Sequence, residues 1–167
     1  FVPMKNIVFD LGGVLFARDK SKCTPELLEF FSFLRTPRMP LFWEEYDRGT
    51  STLEEVTATI SGMTGRPVET LSLIPTERLV GDLKAAGYRL YVLSNMSREF
   101  IDFLRRFPVY GLFDGEVVSC EEHTVKPEPR IYEILLERYG LTPSETLFID
   151  DREMNIEAAA ALGIHGF

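Results

Sequence analysis

The sequence predicts an α/β fold, a parallel sheet with helices on both faces and a helical lobe inserted after the first strand. Three observations carry that expectation. Apolar runs at 5–10, 88–93 and 146–149 each stop on a polar residue, as buried parallel strands do. From residue 75 onward such runs alternate with segments of helical periodicity. Between the first run and this alternation, residues 18–75 carry helix signals and no strand, too long a stretch for a simple crossover.

In chain order, residues 5–10 read as a fully buried strand that delivers Asp10, followed by Gly12-Gly13, where the backbone can bend sharply. Thr24 to Leu34 is helical, with Thr24 as N-cap, Pro25 in the first turn and Leu27, Leu28, Phe31 and Leu34 on one face. Pro37 and Pro40 break that pattern. Leu41 to Asp47 is a short amphipathic segment stopped by Gly49, and Ser51-Thr52-Leu53-Glu54 is a capping-box start for a helix reaching Gly62. Pro67 to Leu73 is expected to form a further short helix closed by Pro75.

Beyond it, Pro75 to Ala86 is an amphipathic helix ended by Gly87, and Tyr88 to Leu93 is a strand ending at Ser94. Glu99 to Phe107 is a helix and Glu116 to Ser119 a short strand. Glu128 to Tyr139 is a helix with Gly140 as its stop. Thr146 to Ile149 is a strand ending at Asp150-Asp151, and Glu153 to Leu162 is an Ala-rich helix closed by Gly163. Ile164 to Phe167 begins one more strand, which ordinarily requires a covering helix.

The 167 residues suit one domain carrying one insertion, and 45% hydrophobic content is enough to build a real core. A formal net charge of −8 argues against a general nucleic-acid binder or an anionic-membrane binder, because the long-range field repels phosphate backbones. It leaves room for a small phosphorylated ligand held by a local site and a cation. Cys23 and Cys120 form no CxxC pair and read as reduced thiols. No apolar stretch approaches the roughly 18 residues of a membrane span, and no signal-peptide pattern precedes the first strand, so the cytoplasm is the expected location.

The polar strand ends carry the chemistry. In a parallel sheet all C-terminal ends share one edge, so Asp10, Ser94 and Asp150-Asp151 converge there, with Lys126 in a loop before Pro127. Carboxylates gathered in this way repel one another unless a cation joins them, and hard oxygens without Cys or His select Mg2+. A Lys and a Ser hydroxyl beside them would hold phosphoryl oxygens. An Asp nucleophile, a divalent metal, a Lys and a hydroxyl suit phosphoryl transfer through an aspartyl-phosphate.

Phe9-Asp10-Leu11-Gly12-Gly13-Val14-Leu15, Val92-Leu93-Ser94-Asn95, Val125-Lys126-Pro127-Glu128-Pro129 and Phe148-Ile149-Asp150-Asp151-Arg152-Glu153-Met154-Asn155 resemble the four motifs of the haloacid dehalogenase superfamily of hydrolases. The resemblance spans almost the whole chain outside the helical insert. It implies a Rossmann-like core over 1–17 and 76–167, strand order 5-4-1-2-3, and a helical cap over 18–75. It implies Asp10 as nucleophile, and Ser94, Asn95 and Lys126 as groups around the phosphate. The Mg2+ ligands it implies are Asp10, the Gly12 backbone carbonyl and Asp151, with Asp150 and Asn155 behind them. Asn155 stands where many relatives carry another acid, and Asp150 where the family often has glycine. Arg18, just past the first turn, is the further candidate for a substrate's polar end. His123, in the loop before Lys126, and Met39, Trp43, Tyr46 and Arg48 in the insert are weaker candidates for contact with substrate.

Gly12 sharpens the chemistry. Most phosphatases of the family carry a second Asp two residues after the nucleophile, which protonates the leaving oxygen and then activates water. Such help is worth about 10²–10⁴ in rate, and Gly12 cannot provide it. Three readings follow. One is a Mg2+-dependent hydrolase of small phosphomonoesters whose leaving group parts easily, or whose acid is water or a cap residue; the chain is similar to a branch with an Asp-Leu-Gly-Gly first motif and attributed sugar-phosphate phosphatase activity. Another is a metal-independent 2-haloacid dehalogenase, since a halide leaves without a proton, although uncompensated Asp150 and Asp151 would spoil that nucleophile. The last is a non-catalytic phosphate binder, for which a lid has little use. The first is the expectation adopted, with a small phosphorylated metabolite as partner.

Overall fold

The computed structural model describes residues 3–18, 39–52, 54–56, 58–59, 73–75 and 77–167. The expected helix from Thr24 to Leu34 and Cys23 lie outside them.

Five parallel strands form the sheet: β1 (Asn6–Phe9), β4 (Arg89–Ser94), β5 (Gly115–Val118), β6 (Thr146–Ile149) and β7 (His165–Gly166), in the order β5-β4-β1-β6-β7. Counted along the sheet from the other side this is the expected 5-4-1-2-3 arrangement. The helices α2 (Glu77–Ala85), α3 (Arg98–Leu104), α5 (Pro129–Tyr139) and α6 (Glu153–Ala161) connect and cover it. A short helix, α4 (Ser119–Glu122), follows β5 directly.

Side chains alternate between two cores, which is why the strands read as unbroken apolar runs. Ile7, Phe9, Leu90 and Val92 pack with Val80, Ile101 and Leu104 on one face. Val8, Tyr91, Leu93, Val117 and Phe148 pack with Ile131, Tyr132, Leu135 and Ala159 on the other. Gly140 closes α5 in the left-handed region at φ 60°, as its position predicts. Over the edge strand β5, Tyr139 lays its hydroxyl between the main-chain groups of Glu116, accepting from its N–H at 2.8 Å and donating to its carbonyl at 2.8 Å. Gly115 makes room for that ring, which a Cβ would overlap.

The described part of the insert differs from expectation in two places. Leu73–Pro75 is a strand, β3, paired antiparallel with β2 (Phe16–Arg18), where Leu73 was expected to end a short helix closed by Pro75; the rest of that helix, 67–72, lies outside the described residues. Partners 55 to 59 residues apart in sequence, in the register Phe16↔Pro75 to Arg18↔Leu73, leave no local trace of such a pairing. The capping box is formed one residue later than the Ser51–Glu54 reading, by Thr52 and Glu55: Glu55 N–H donates to Thr52 Oγ1 at 3.2 Å and Thr52 N–H to Glu55 Oε2 at 2.8 Å. Residues 54–56 and 58–59 are helical after it. Leu41–Asp47 is a helix, α1, with Gly49 at φ +75° after its end. Among the described residues no helix is long and apolar enough to cross a membrane.

Candidate active site

Register assembles the site. Phe9 is level with Val92 of β4 and Ile149 of β6, so the next residues, Asp10, Leu93 and Asp150, emerge together at the C-terminal edge. Asp10 N–H still donates to the Ile149 carbonyl at 2.9 Å, which fixes where its carboxylate begins. That carboxylate is buried, and its Oδ1 accepts from Ser94 Oγ at 3.1 Å and from Lys126 Nζ at 2.8 Å.

Lys126 is the hub. Its buried ammonium also donates to Asp150 Oδ2 at 2.6 Å and to the Leu93 carbonyl at 3.0 Å, which occupies its three protons. Asn95 holds its backbone from both sides: Lys126 N–H donates to Asn95 Oδ1 at 2.7 Å and Asn95 Nδ2 to the Lys126 carbonyl at 2.9 Å. The Asn95 amide, expected at the substrate, is thereby engaged in positioning the lysine. Asp150 is oriented in turn by the Arg152 N–H and by Asn155 Nδ2, each 2.9 Å from Oδ1. Asn155 therefore acts on a carboxylate here.

Asp10, Asp150 and Asp151 each bring a carboxylate oxygen within 4.8 Å of the others. Burial and the charges of Asp150 and Asp151 push the Asp10 carboxyl up against the pull of Lys126, and burial followed by Asp150 pushes Asp151 up. Asp10 and Asp150 hold the Lys126 ammonium above its ordinary range although burial works against the charge. Three carboxylates facing one contacting ammonium leave an excess of two negative charges. Hard oxygen donors with that excess fit a divalent cation such as Mg2+.

The glycines after the nucleophile differ from each other. Gly13, at φ +85°, lies so close to Asp151 that a Cβ would overlap its carboxylate. Among the described residues no heavy atom lies within 4 Å of a Cβ added at Gly12, and its backbone bridges to Phe16. Arg18 is placed by its backbone in β2 beside Leu73, and its side chain is outside the described residues.

Two groups escaped the sequence reading. Asp47, the last residue of α1, is buried. Burial pushes its carboxyl up to about 7, with Asp10 adding to the rise, Arg152 and Lys126 opposing it and Glu44 adding a little. Glu128 receives Arg48 Nη1 at 2.9 Å, Arg48 Nη2 at 2.7 Å, Thr124 Oγ1 at 2.6 Å and Val125 N–H at 3.2 Å. The Arg48 bonds hold the Glu128 carboxyl at about 2. Glu128 stood inside a quoted motif with no role attached, and Asp47 gave only an acid before the Arg48-Gly49 stop. His123 turns its Nδ1 toward the Arg48 carbonyl at 3.3 Å, and Tyr46 donates to Glu99 Oε2 at 2.8 Å. Trp43 packs edge-on against Tyr46, and Met39 Sδ lies 3.7 Å from Arg152 Nη2.

The chain is similar to known proteins over almost its whole length. The chain is 28% identical over 175 residues to the sesquiterpene phosphatase astK of Aspergillus oryzae, covering 97% of this chain and 88% of that protein. It is 26% identical over 191 residues to the D-ribitol-5-phosphate phosphatase of Bacteroides thetaiotaomicron, covering 98% of this chain and 91% of the relative. Among solved structures it is similar to an Asp-to-Ala variant of a HAD family enzyme from Bacteroides thetaiotaomicron in complex with magnesium and inorganic phosphate. That similarity has a TM-score of 0.78 at 29% identity, over 98% of this chain and 93% of the other. The haloacid dehalogenase-like hydrolase family model matches residues 4–163, almost the whole chain, and the protein belongs to that family of hydrolases.

Proposed function

We propose that this protein is a Mg2+-dependent phosphomonoester hydrolase acting on small phosphorylated metabolites through an aspartyl-phosphate on Asp10. The observation that carries the reading is the Asp10 carboxylate, buried at a sheet edge and bonded to Ser94 and Lys126 beside two further carboxylates. Residues 1–17 and 76–167 form the core in this reading, and 18–75 the cap that sets substrate choice. The full-length similarity to two phosphatases supports it.

Asp10, the Gly12 carbonyl and Asp151 would hold the metal, with Asp150 and Asn155 behind them. When bound, Mg2+ supplies positive charge for the phosphoryl oxygens and lowers the repulsion among the carboxylates. Asp10 attacks phosphorus, while Ser94 and Lys126 turn donors toward the phosphoryl oxygens and Asn95 fixes the lysine's backbone. Arg18 is the candidate for the remainder of the substrate.

The test is phosphate release from a panel of small phosphomonoesters with and without Mg2+, alongside halide release from 2-chloropropionate. Metal-dependent phosphate release that Asp10→Asn abolishes is the expected result. Halide release insensitive to chelator would replace this reading with a dehalogenase. Binding of inorganic phosphate without turnover of any ester would replace it with a phosphate binder.

A further inference from the structure

The site as drawn lacks a group that can give a proton to a leaving oxygen. Lys126 is held as a charged ammonium between Asp10 and Asp150, and Ser94 donates to Asp10. Position 12 carries no side chain and, among the described residues, opens onto free space.

The last residue of α1, Asp47, is buried where that helix meets the core. The end of that helix is fixed to the core beside the Lys126 loop by four independent contacts. Ser119 Oγ donates to the Asp47 carbonyl. Arg48 forks onto Glu128, two residues past Lys126. The Arg48 carbonyl meets His123, and Gly49 lies against the Cys120 backbone so closely that a Cβ would overlap it. Asp47 is thereby buried with Asp10, Lys126 and Arg152 as the charges that act on it from the core, and Glu44 from its own helix. Among the described residues no side chain donates a hydrogen bond to its carboxyl, and burial outweighs the pull of Arg152 and Lys126 toward the ionised form.

We propose, on the phosphatase reading above, that the Asp47 carboxyl is the proton donor and acceptor for the reaction at Asp10, taking the part that Gly12 leaves vacant. In the first step an Asp10 oxygen bonds to phosphorus and the bond from phosphorus to the ester oxygen breaks, its electron pair passing to that oxygen. Asp47 gives its proton to the same oxygen, and the alcohol leaves. In the second step water attacks phosphorus while the Asp47 carboxylate takes its proton. The bond from phosphorus to Asp10 breaks with its pair returning to the carboxylate. Ester and water become alcohol and phosphate, and Asp47 ends protonated as it began. Burial that favours the neutral carboxyl suits this cycle near neutral pH.

The test compares kcat/KM of wild type and Asp47→Asn, with Mg2+, on p-nitrophenyl phosphate and on the alkyl monoester that the wild type turns over fastest. kcat/KM reports the step in which the ester bond breaks, and only the alkoxide needs the proton. The expected loss on the alkyl ester is about 10²–10³-fold, at least about tenfold greater than on the aryl ester. The fall of wild-type kcat/KM toward alkaline pH on the alkyl ester should vanish in Asp47→Asn and persist in Asp47→Glu, which also guards against a variant that merely misfolds. Equal losses on both esters, or an alkaline fall unchanged in Asp47→Asn, overturns the assignment. Wild type releasing no phosphate from any ester overturns the phosphatase reading and this assignment with it, whereas equal losses on a working phosphatase overturn the assignment alone.

Discussion

Arg48, just past the end of α1, clasps Glu128 at the start of α5 with both terminal nitrogens, at 2.9 and 2.7 Å. Glu128 simultaneously gathers Thr124 and Val125, so one carboxylate ties the insert to the loop that carries Lys126. Because both partners are partly exposed, the pair is worth little as an ion pair, and its effect is geometric. Arg48→Ala should therefore cost no more than about 1 kcal/mol in unfolding free energy. It should raise KM or lower kcat by about tenfold if the clasp sets the distance between α1 and Lys126. Urea titration beside steady-state kinetics checks both, and a double variant with Glu128→Gln should be no worse than either single one.

Lys126→Met should leave Asp10 and Asp150 buried without their shared cation. An orphaned buried charge costs about 3–5 kcal/mol, so the metal-free variant should be strongly destabilised at pH 8. The deficit should shrink as pH falls and the Asp10 carboxyl, already pushed up by burial, protonates. Thermal unfolding in chelator across pH 5–8 measures this (roughly the range where stability is usually greatest), and a pH-independent deficit would contradict it.

Gly13 and Gly12 invite opposite outcomes from the same substitution. Gly13→Ala places a Cβ into Asp151 at a positive φ, so it should cost about 1–2 kcal/mol and weaken Mg2+ binding. Gly12→Ala meets no described atom and should stay within about 0.5 kcal/mol of wild type, with Mg2+ affinity kept. Calorimetric titration of both with Mg2+ distinguishes them.

Asp47 also makes a prediction about stability. Its carboxyl is raised from 3.8 to about 7 on folding, so the neutral form is favoured in the folded state. That contribution is complete below the unfolded value and is lost as pH rises through the folded one. In metal-free protein, Asp47→Asn should match wild type near pH 3.8 and exceed it by roughly 2–4 kcal/mol at pH 8. Denaturant melts at the two pH values test the sign.

What could be read from the sequence followed from how local each signal is. β1 and β6 announce themselves because after their first residues, Asn6 and Thr146, they are apolar throughout, and the carboxylate that follows stands at the sheet edge. Asp10, Ser94 and Asp150 stand out by that rule and Lys126 by its place in the loop before Pro127; in the structure Lys126 bonds both aspartates and Ser94 bonds Asp10. β3 was missed because Leu73–Pro75 becomes a strand only by pairing with Phe16–Arg18. Asp47 was passed over because nothing in Tyr46-Asp47-Arg48 says which acid of a short helix will be buried. Its burial comes from Ser119, Glu128 and Cys120, residues far along the chain.

Tyr139 has a consequence beyond the site. By filling both the N–H and the carbonyl of Glu116, its hydroxyl blunts the outer rim of β5. A strand from a neighbouring molecule would find those hydrogen-bonding groups already taken and an aromatic ring in its path. The same phenol that settles α5 against the sheet thus guards this border against runaway polymerisation, and a Tyr139→Phe protein should be the first to form fibrils on storage.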